Sequence, residues 1–432
     1  MKWVRAMIIL AVVALVALVA PASAQRRSPL PMPDMGTGTG MGLGLGLGLG
    51  LGLGLGNDRA SLALDDPFDR GPTGRLQDLR KLQMRRLIRE HREIIEADPA
   101  GNPVVRNEIL ATLPGAGALS RALALGFALA RERNIAALDI HIVVLDAPAH
   151  WSLRKALREL RKRIPQGTYD YNDIYSRSGA APLPAEPQAN VAPRGARAPA
   201  RVGLLDSGVE ATNPAFHASI MHFWGCGGAA HPGRHGTAVA SLLVRRAPAE
   251  LYAADVYCGK PAGGAVDTIV AALAWMAQEQ VPVINLSLVG PKNLLLGQII
   301  AALIAKGYVI VAAVGNDGPA APPLYPAAFP HVIGVTAVDA RRHVLLEAER
   351  GPQVTFAALG ADVSAAGLHA GTVRVRGTSF AAPVVAALFA VRMSTPDPSS
   401  AAAALAALIG RAIDLGPPGR DPIYGYGLLG AQ

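Results

Sequence analysis

From Arg201 onward the sequence alternates short, mainly apolar runs with helical stretches, and this rhythm constrains the fold more than any other feature. Runs at 202–205, 251–256, 281–286, 309–314 and 332–336 lack the polar alternation of a half-solvated strand. They read as strands buried on both faces. Stretches at His235–Arg246, Val266–Gln278, Leu294–Lys306 and Ser379–Arg392 lie between or after them and read as helices. Strand–helix alternation predicts an α/β fold, a mostly parallel sheet flanked by helices. Ligands of such sheets sit beyond the carboxyl ends of the strands, so chemistry is to be sought there.

The first 200 residues are organised differently. Residues 1–24 have the order of an export signal: Lys2 and Arg5, an apolar segment Met7–Val19, then Ala22-Ser23-Ala24 before Gln25. The apolar segment is short of the about 20 residues a span needs, so cleavage and a secreted or periplasmic product are expected. Residues 25–57 are low in complexity and end in a Gly-Leu alternation, which reads as a flexible spacer. A basic helical segment follows over 58–103. Its Leu76, Leu79, Leu82, Leu87 and Ile88 recur at helical spacing, and its Arg run reads as the solvated face. Residues 104–175 read as a small α+β unit, with strands at Val105–Thr112, Ile140–Leu145 and Thr168–Ile174 and a helix at Trp151–Arg163. Residues 176–200, rich in Ala, Pro, Gly and Arg, read as an exposed linker before the domain at 201–432.

Composition removes several classes of function. The chain has 432 residues, 51% hydrophobic and 17% charged, so it is not disordered as a whole. Mean hydropathy is +0.28, but the long uncharged apolar run is confined to Ala6–Ala22, which excludes a multi-span membrane protein. The net charge of +9 belongs upstream: from Arg201 on, 15 Lys/Arg face 14 Asp/Glu. A nearly neutral domain poor in aromatics does not read as a nucleic-acid binder. Two cysteines, Cys226 and Cys258, suggest one disulfide in an exported protein. No Cys-x-x-Cys spacing points to a metal, and no Gly-rich loop follows a strand to cradle phosphate. No GxSxG elbow surrounds Ser379, which argues against a lipase or esterase.

Three segments carry chemistry. RVGLLDSGV places Asp206 at the end of a predicted strand, RHGTAVASLL places His235 at the start of a helix, and RGTSFAAPVVAALFA places Ser379 at the start of another. Each residue alone has an ordinary reading, as turn former, helix-start residue or N-cap. Together they supply what a serine nucleophile needs: an imidazole to take its proton and a buried carboxylate to orient that imidazole. Gly208, Gly236 and Gly377 allow close backbone approach. A fourth segment, VIVAAVGNDG, places Asn316 after a strand, where its amide has the donors an oxyanion requires.

These segments resemble the signature blocks of the subtilisin-like serine proteases (peptidase S8), in the order Asp, His, Ser, over roughly residues 200–430. The resemblance implies a serine endopeptidase with Ser379 as nucleophile, His235 as general base, Asp206 as orienting carboxylate, and Asn316 with the Ser379 amide as oxyanion donors. It further implies substrate contacts at Ser287, Leu288 and Val289 in INLSLVGP, with Gly263 and Gly264 on the opposite strand and Leu324 reaching the first pocket. Many relatives have Gly where this chain has Val289, which implies a narrower pocket wall. The unit at 104–175 resembles the prodomain of such proteases, so the chain's own prodomain is an expected partner and inhibitor beside protein or peptide substrates. No cofactor is expected; the Asp/Asn-rich loops of the family's calcium sites are not evident. Alternative readings are a non-catalytic binding protein on the same fold and a membrane-tethered processing protease.

Overall fold

The computed structural model describes residues 72–178, 183–185, 200–245 and 249–431; the expected export signal, the expected Gly-Leu spacer and most of the expected linker lie outside the described residues. Helix α1 (Pro72–Glu90) comes first. A five-stranded sheet follows, built from β1 (Ile95–Ala97), β2 (Pro103–Thr112), β3 (Ala128–Ile135), β4 (Ile140–Asp146) and β5 (Thr168–Asp173), with helices α2 (Ala116–Ala124) and α3 (Leu153–Arg163). Its strand order is β1-β2-β4-β3, with β5 also paired to β2, and all its pairings are antiparallel.

Both faces of this small sheet are buried along β2 and β4, which explains their apolar residues. Ile109, Val143 and Leu145 point to one face, where they pack with Leu157 and Leu160 of α3. Their chain neighbours Leu110, Ile142 and Val144 point to the other, against Ile269, Leu296 and Ile299 of the large domain. The sheet starts at Ile95, so the expected boundary at 104 falls too late; β1 pairs with Pro103–Val105 and belongs to the unit. Strand β3 escaped the sequence reading because most of ALARERNI is exposed and carries no apolar alternation.

Two short strands, β6 (Ser176–Arg177) and β7 (Leu183–Ala185), lie in the segment expected to be an exposed linker. The large domain then comprises β8 (Ala200–Asp206), β9 (Ile220–Trp224), α4 (Arg234–Val244), β10 (Ala249–Asp255), α5 (Val266–Gln278), β11 (Val283–Leu286), β12 (Leu288–Val289), α6 (Leu294–Ala305), β13 (Val309–Ala313), β14 (Ile333–Val338), β15 (Val354–Leu359), β16 (Val363–Ala366), β17 (Thr372–Val375), α7 (Thr378–Ala390), α8 (Pro398–Ile409) and β18 (Leu428–Leu429). Eight strands form one parallel sheet in the order β18-β15-β14-β13-β11-β8-β10-β9. Helices α4 and α7 pack on one face through Val239, Phe380, Val385 and Phe389. Helices α5 and α6 pack on the other through Leu273, Met276, Ile300 and Leu303. Successive strands run away from β8 in both directions, through β10 on one side and β11 on the other, so a crevice opens at the carboxyl end of β8.

Cys226, just after β9, is bonded to Cys258, just after β10, and ties the loop that leads to Gly263 and Gly264. The bridge closes a loop with a sequence separation of 32. Replacing both cysteines by alanine is therefore expected to lower stability by about 3–4 kcal/mol on the chain-entropy model, measured by urea unfolding.

Candidate functional site

The crevice is assembled from three element ends. Strand β8 ends in Asp206, which is fully buried, and its Oδ1 accepts from the Ser207 amide at 2.6 Å. Helix α4 starts beside it, and His235 Nδ1 lies 2.9 Å from Asp206 Oδ1 and 2.8 Å from Oδ2. The approach is close: a Cβ on Gly236 would stand 2.0 Å from the Ser207 carbonyl oxygen, so only glycine fits. The His235 ring also leans on Phe380, with centroids 5.1 Å apart.

Ser379 sits in the first turn of α7, after Gly377 at φ 130°, a conformation that favours glycine. Pro383 lies four residues on and has no N–H to give the Ser379 carbonyl. Ser287 Oγ donates to that carbonyl instead, at 3.0 Å. Asn316 follows β13; its Oδ1 accepts from the Thr378 amide at 3.1 Å, which turns Nδ2 into the crevice.

The crevice is filled by the chain itself. Ile174 bridges Ala265, and the Tyr175 amide donates to the Gly264 carbonyl at 2.9 Å. Ser176 and Arg177 form β6 and pair antiparallel with Val289 and Leu288 of β12. The Ser178 amide donates to the Ser287 carbonyl at 3.4 Å. Tyr175 lies over Gly290 and its hydroxyl donates to the Pro291 carbonyl at 2.6 Å. Ser178 is buried among the candidate catalytic groups. Its carbonyl accepts from His235 Nε2 at 3.0 Å, and its Oγ accepts from Asn316 Nδ2 at 2.7 Å.

Asp206, His235, Ser379 and Asn316 are thus brought together, but the expected His235–Ser379 link is not made. A carbonyl only accepts, so Nε2 must donate to Ser178 and has no lone pair to offer Ser379. Ser379 Oγ instead turns to the Ser287 carbonyl at 3.5 Å. Of the expected substrate contacts, Ser287, Leu288, Val289 and Gly264 touch the tail. Gly263 does not: its amide donates to Lys260, and Ala265 takes the place expected for it. Leu324 donates its amide to Glu349 Oε2 at 3.2 Å, and no hydrogen bond joins it to the tail among the described residues. Gly290 and Pro291 were missed because nothing in the sequence marks a glycine as the floor beneath a tyrosine.

Glu349 was missed as well. It is fully buried behind Gly315, and its Oε1 has no partner. Burial, with the neighbouring charge of Asp317, pushes its carboxyl up to about 8. Among the described residues, Cys226, Asp255 and Cys258 bring metal-type donors together, but the two sulfurs are spent in the disulfide and Asp255 Oδ1 accepts from the Tyr257 and Cys258 amides.

A buried Asp–His pair, a serine at a helix start and an amide aimed at the tail thus lie together at the carboxyl end of a parallel sheet. Residues 199–427 match the subtilase family, Peptidase_S8, and the chain belongs to that family. It is 30% identical over 207 residues to the minor extracellular protease Epr of Bacillus subtilis (strain 168), covering 45% of this chain and 32% of Epr. It is 32% identical over 186 residues to Subtilisin DY of Bacillus licheniformis, covering 42% of this chain and 66% of that one. The chain thus spans about a third of one of these relatives and just under two thirds of the other. The crystal structure of fervidolysin from Fervidobacterium pennivorans, a keratinolytic enzyme related to subtilisin, shares the fold at a TM-score of 0.61 and 18% identity, over 76% of this chain and 60% of that one.

A carboxyl raised by burial is favoured neutral in the fold and costs stability once the unfolded chain can ionise it. Stability of a Ser379→Ala chain is expected to fall as pH rises from about 4.5 toward about 8, and to level off above. Adding Glu349→Gln is expected to flatten that decline, read from melting temperatures across the range.

Proposed function

We propose that the chain is the precursor of an exported serine endopeptidase that cuts its own N-terminal unit after Ser178. One observation carries this reading: the segment Ile174–Ser178 lies extended between 264–265 and 287–289, with Ser178 against His235 and Asn316. That is the pose of a peptide bound for cleavage, short of the final alignment.

The chemistry follows from the side chains. Once the Ser178 carbonyl swings from His235 toward Asn316 and Nε2 has given its own proton to solvent, the freed lone pair takes the proton of Ser379 as its Oγ attacks the carbonyl carbon. Asp206 holds the Nδ1–H and stabilises the charged ring. Asn316 Nδ2 and the Ser379 amide stabilise the tetrahedral oxyanion. His235 then gives its proton to the leaving amine, and water resolves the acyl-enzyme by the same steps in reverse roles.

The unit at 95–178 acts as prodomain and inhibitor. It is seated on α5 and α6 by polar side chains as well as by its apolar face. Asn172 Oδ1 accepts from the Asp267 amide at 3.1 Å, and Asp170 Oδ2 accepts from the Leu294 amide at 2.8 Å, each at a helix start whose amides lack helical partners. Export is supported by the leader at 1–24 and by the extracellular protease Epr among the relatives. Among the described residues no helix is long and apolar enough to cross a membrane.

Intact mass followed over time tests the reading. The wild-type precursor is expected to break into two fragments at the bond after Ser178, while its Ser379→Ala variant stays whole. Equal shortening of both, or a wild type that never shortens, contradicts self-processing.

A further inference from the structure

At the end of the large sheet remote from Asp206 lies a cavity of about 450 Å³ that the proposed chemistry does not use. It sits at the amino ends of β14 and β15, where Ile333 and Thr355 line it, between the segment 323–333 and the loop that carries Arg420 and Tyr426. Its apolar wall is aromatic. Tyr325 and Phe329 meet with ring centroids 4.6 Å apart, Phe329 lies over Gly297 of α6, and Tyr426 stands 5.9 Å from Phe356. These contacts hold the rings in place and leave a preformed concave surface, the usual character of a small-molecule site.

Two polar groups in the wall are left unsatisfied by the fold. Gln353 is 7% exposed; its Nε2 donates to the Arg350 carbonyl at 3.2 Å, but its Oε1 has no partner among the described residues. Buried carbonyl oxygens are nearly always met by a donor, so one left unmet beside a cavity asks for a donor from whatever enters it. Arg420 lies over the Tyr426 ring at 5.3 Å, and its Nη2 donates to the Pro352 and Val354 carbonyls at 2.8 and 3.3 Å. Those bonds fix the guanidinium, while Nε and Nη1 have no partner among the described residues. Of the residues that line the cavity, Arg420 and His331 can carry charge near neutral pH, and none is Asp or Glu. An aromatic wall with a positive rim is the complement of an apolar anion.

We propose that this cavity binds a carboxylate on an apolar body, with the carboxylate on Arg420 and the apolar part on Tyr325, Phe329 and Tyr426. An N–H beside the carboxylate would meet Gln353 Oε1, so one chemistry suits both a free aryl acid and the C-terminal residue of a peptide. The cavity is separate from the crevice yet shares a segment with it. Tyr325 lines the cavity, and its amide and carbonyl pair with Gly290, on which the tail's Tyr175 rests. Nothing in this site depends on Ser379, so it stands apart from the endopeptidase reading.

Calorimetry on the full-length Ser379→Ala chain tests the site without catalysis. Hydrocinnamate is expected to bind saturably, and its neutral amide at least about tenfold more weakly. Arg420→Gln is expected to weaken the acid by about tenfold or more, with Arg420→Lys recovering part of the loss. Because Arg420 also holds two carbonyls, a second variant leaves it in place: Ala328, on the same wall, becomes Ala328→Trp, which fills the cavity and is expected to abolish binding. Melting temperatures check that each variant is folded. A tripeptide ending in a free phenylalanine carboxylate separates the sources. Tighter binding than hydrocinnamate assigns the cavity to a peptide end, and equal or weaker binding assigns it to free acids. No saturable binding of either acid, an amide bound as tightly as its acid, or binding untouched by Arg420→Gln and Ala328→Trp in folded protein overturns the proposal.

Discussion

The crevice depends on how closely the start of α4 approaches the end of β8. A fully buried carboxylate is costly unless each oxygen is met by a donor, and at Asp206 the Ser207 amide and His235 Nδ1 meet them. That contact requires Gly236, since any side chain there collides with the Ser207 carbonyl. Ser207 Oγ in turn accepts from the Gly236 amide at 3.0 Å, closing the turn against the helix. With the imidazole held on one side, its other nitrogen faces the crevice, and whatever occupies the crevice decides what that nitrogen can do.

In this structure the occupant is the chain's own tail, and it takes up the hydrogen-bonding groups of the proposed machinery. The Ser178 carbonyl takes His235 Nε2, and the Ser178 hydroxyl takes Asn316 Nδ2. Backbone pairing along β12 gives the tail affinity, while Tyr175 on Gly290 fixes its register. The five-stranded unit supplies the rest by burying one face of its sheet on α5 and α6. Arg131 strengthens the seat by bridging Glu108 of its own sheet and Asp267 of α5.

Much of this was legible in the sequence because the large domain is patterned throughout. Strands such as Val309–Ala313 are buried along their whole length, and an apolar run between helices has few other readings. The catalytic candidates were legible because Asp206, His235, Ser379 and Asn316 each stand at an element end beside a small residue. What stayed hidden arises between elements. Strand β3 is mostly exposed, so its pairing with β4 decides its structure and its pattern does not. The segment at 176–178 reads as linker, and only the facing edge of β12 makes it a strand. Arg80 belongs to a run of basic residues, and nothing local separates the one that reaches Asp317 from those left in water. Glu349 reads as one more acidic residue in a charged turn until Gly315 and Leu324 close over it.

The central claim is that Ser379 is a competent nucleophile held off by the tail. A serine-directed fluorophosphonate tests it directly, with the labelled residue located by peptide mapping. The account predicts that the intact precursor resists labelling and that Ser379 becomes the labelled residue once the N-terminal unit has been cut away and removed. A separated catalytic domain that stays unlabelled, or one labelled elsewhere, would contradict it.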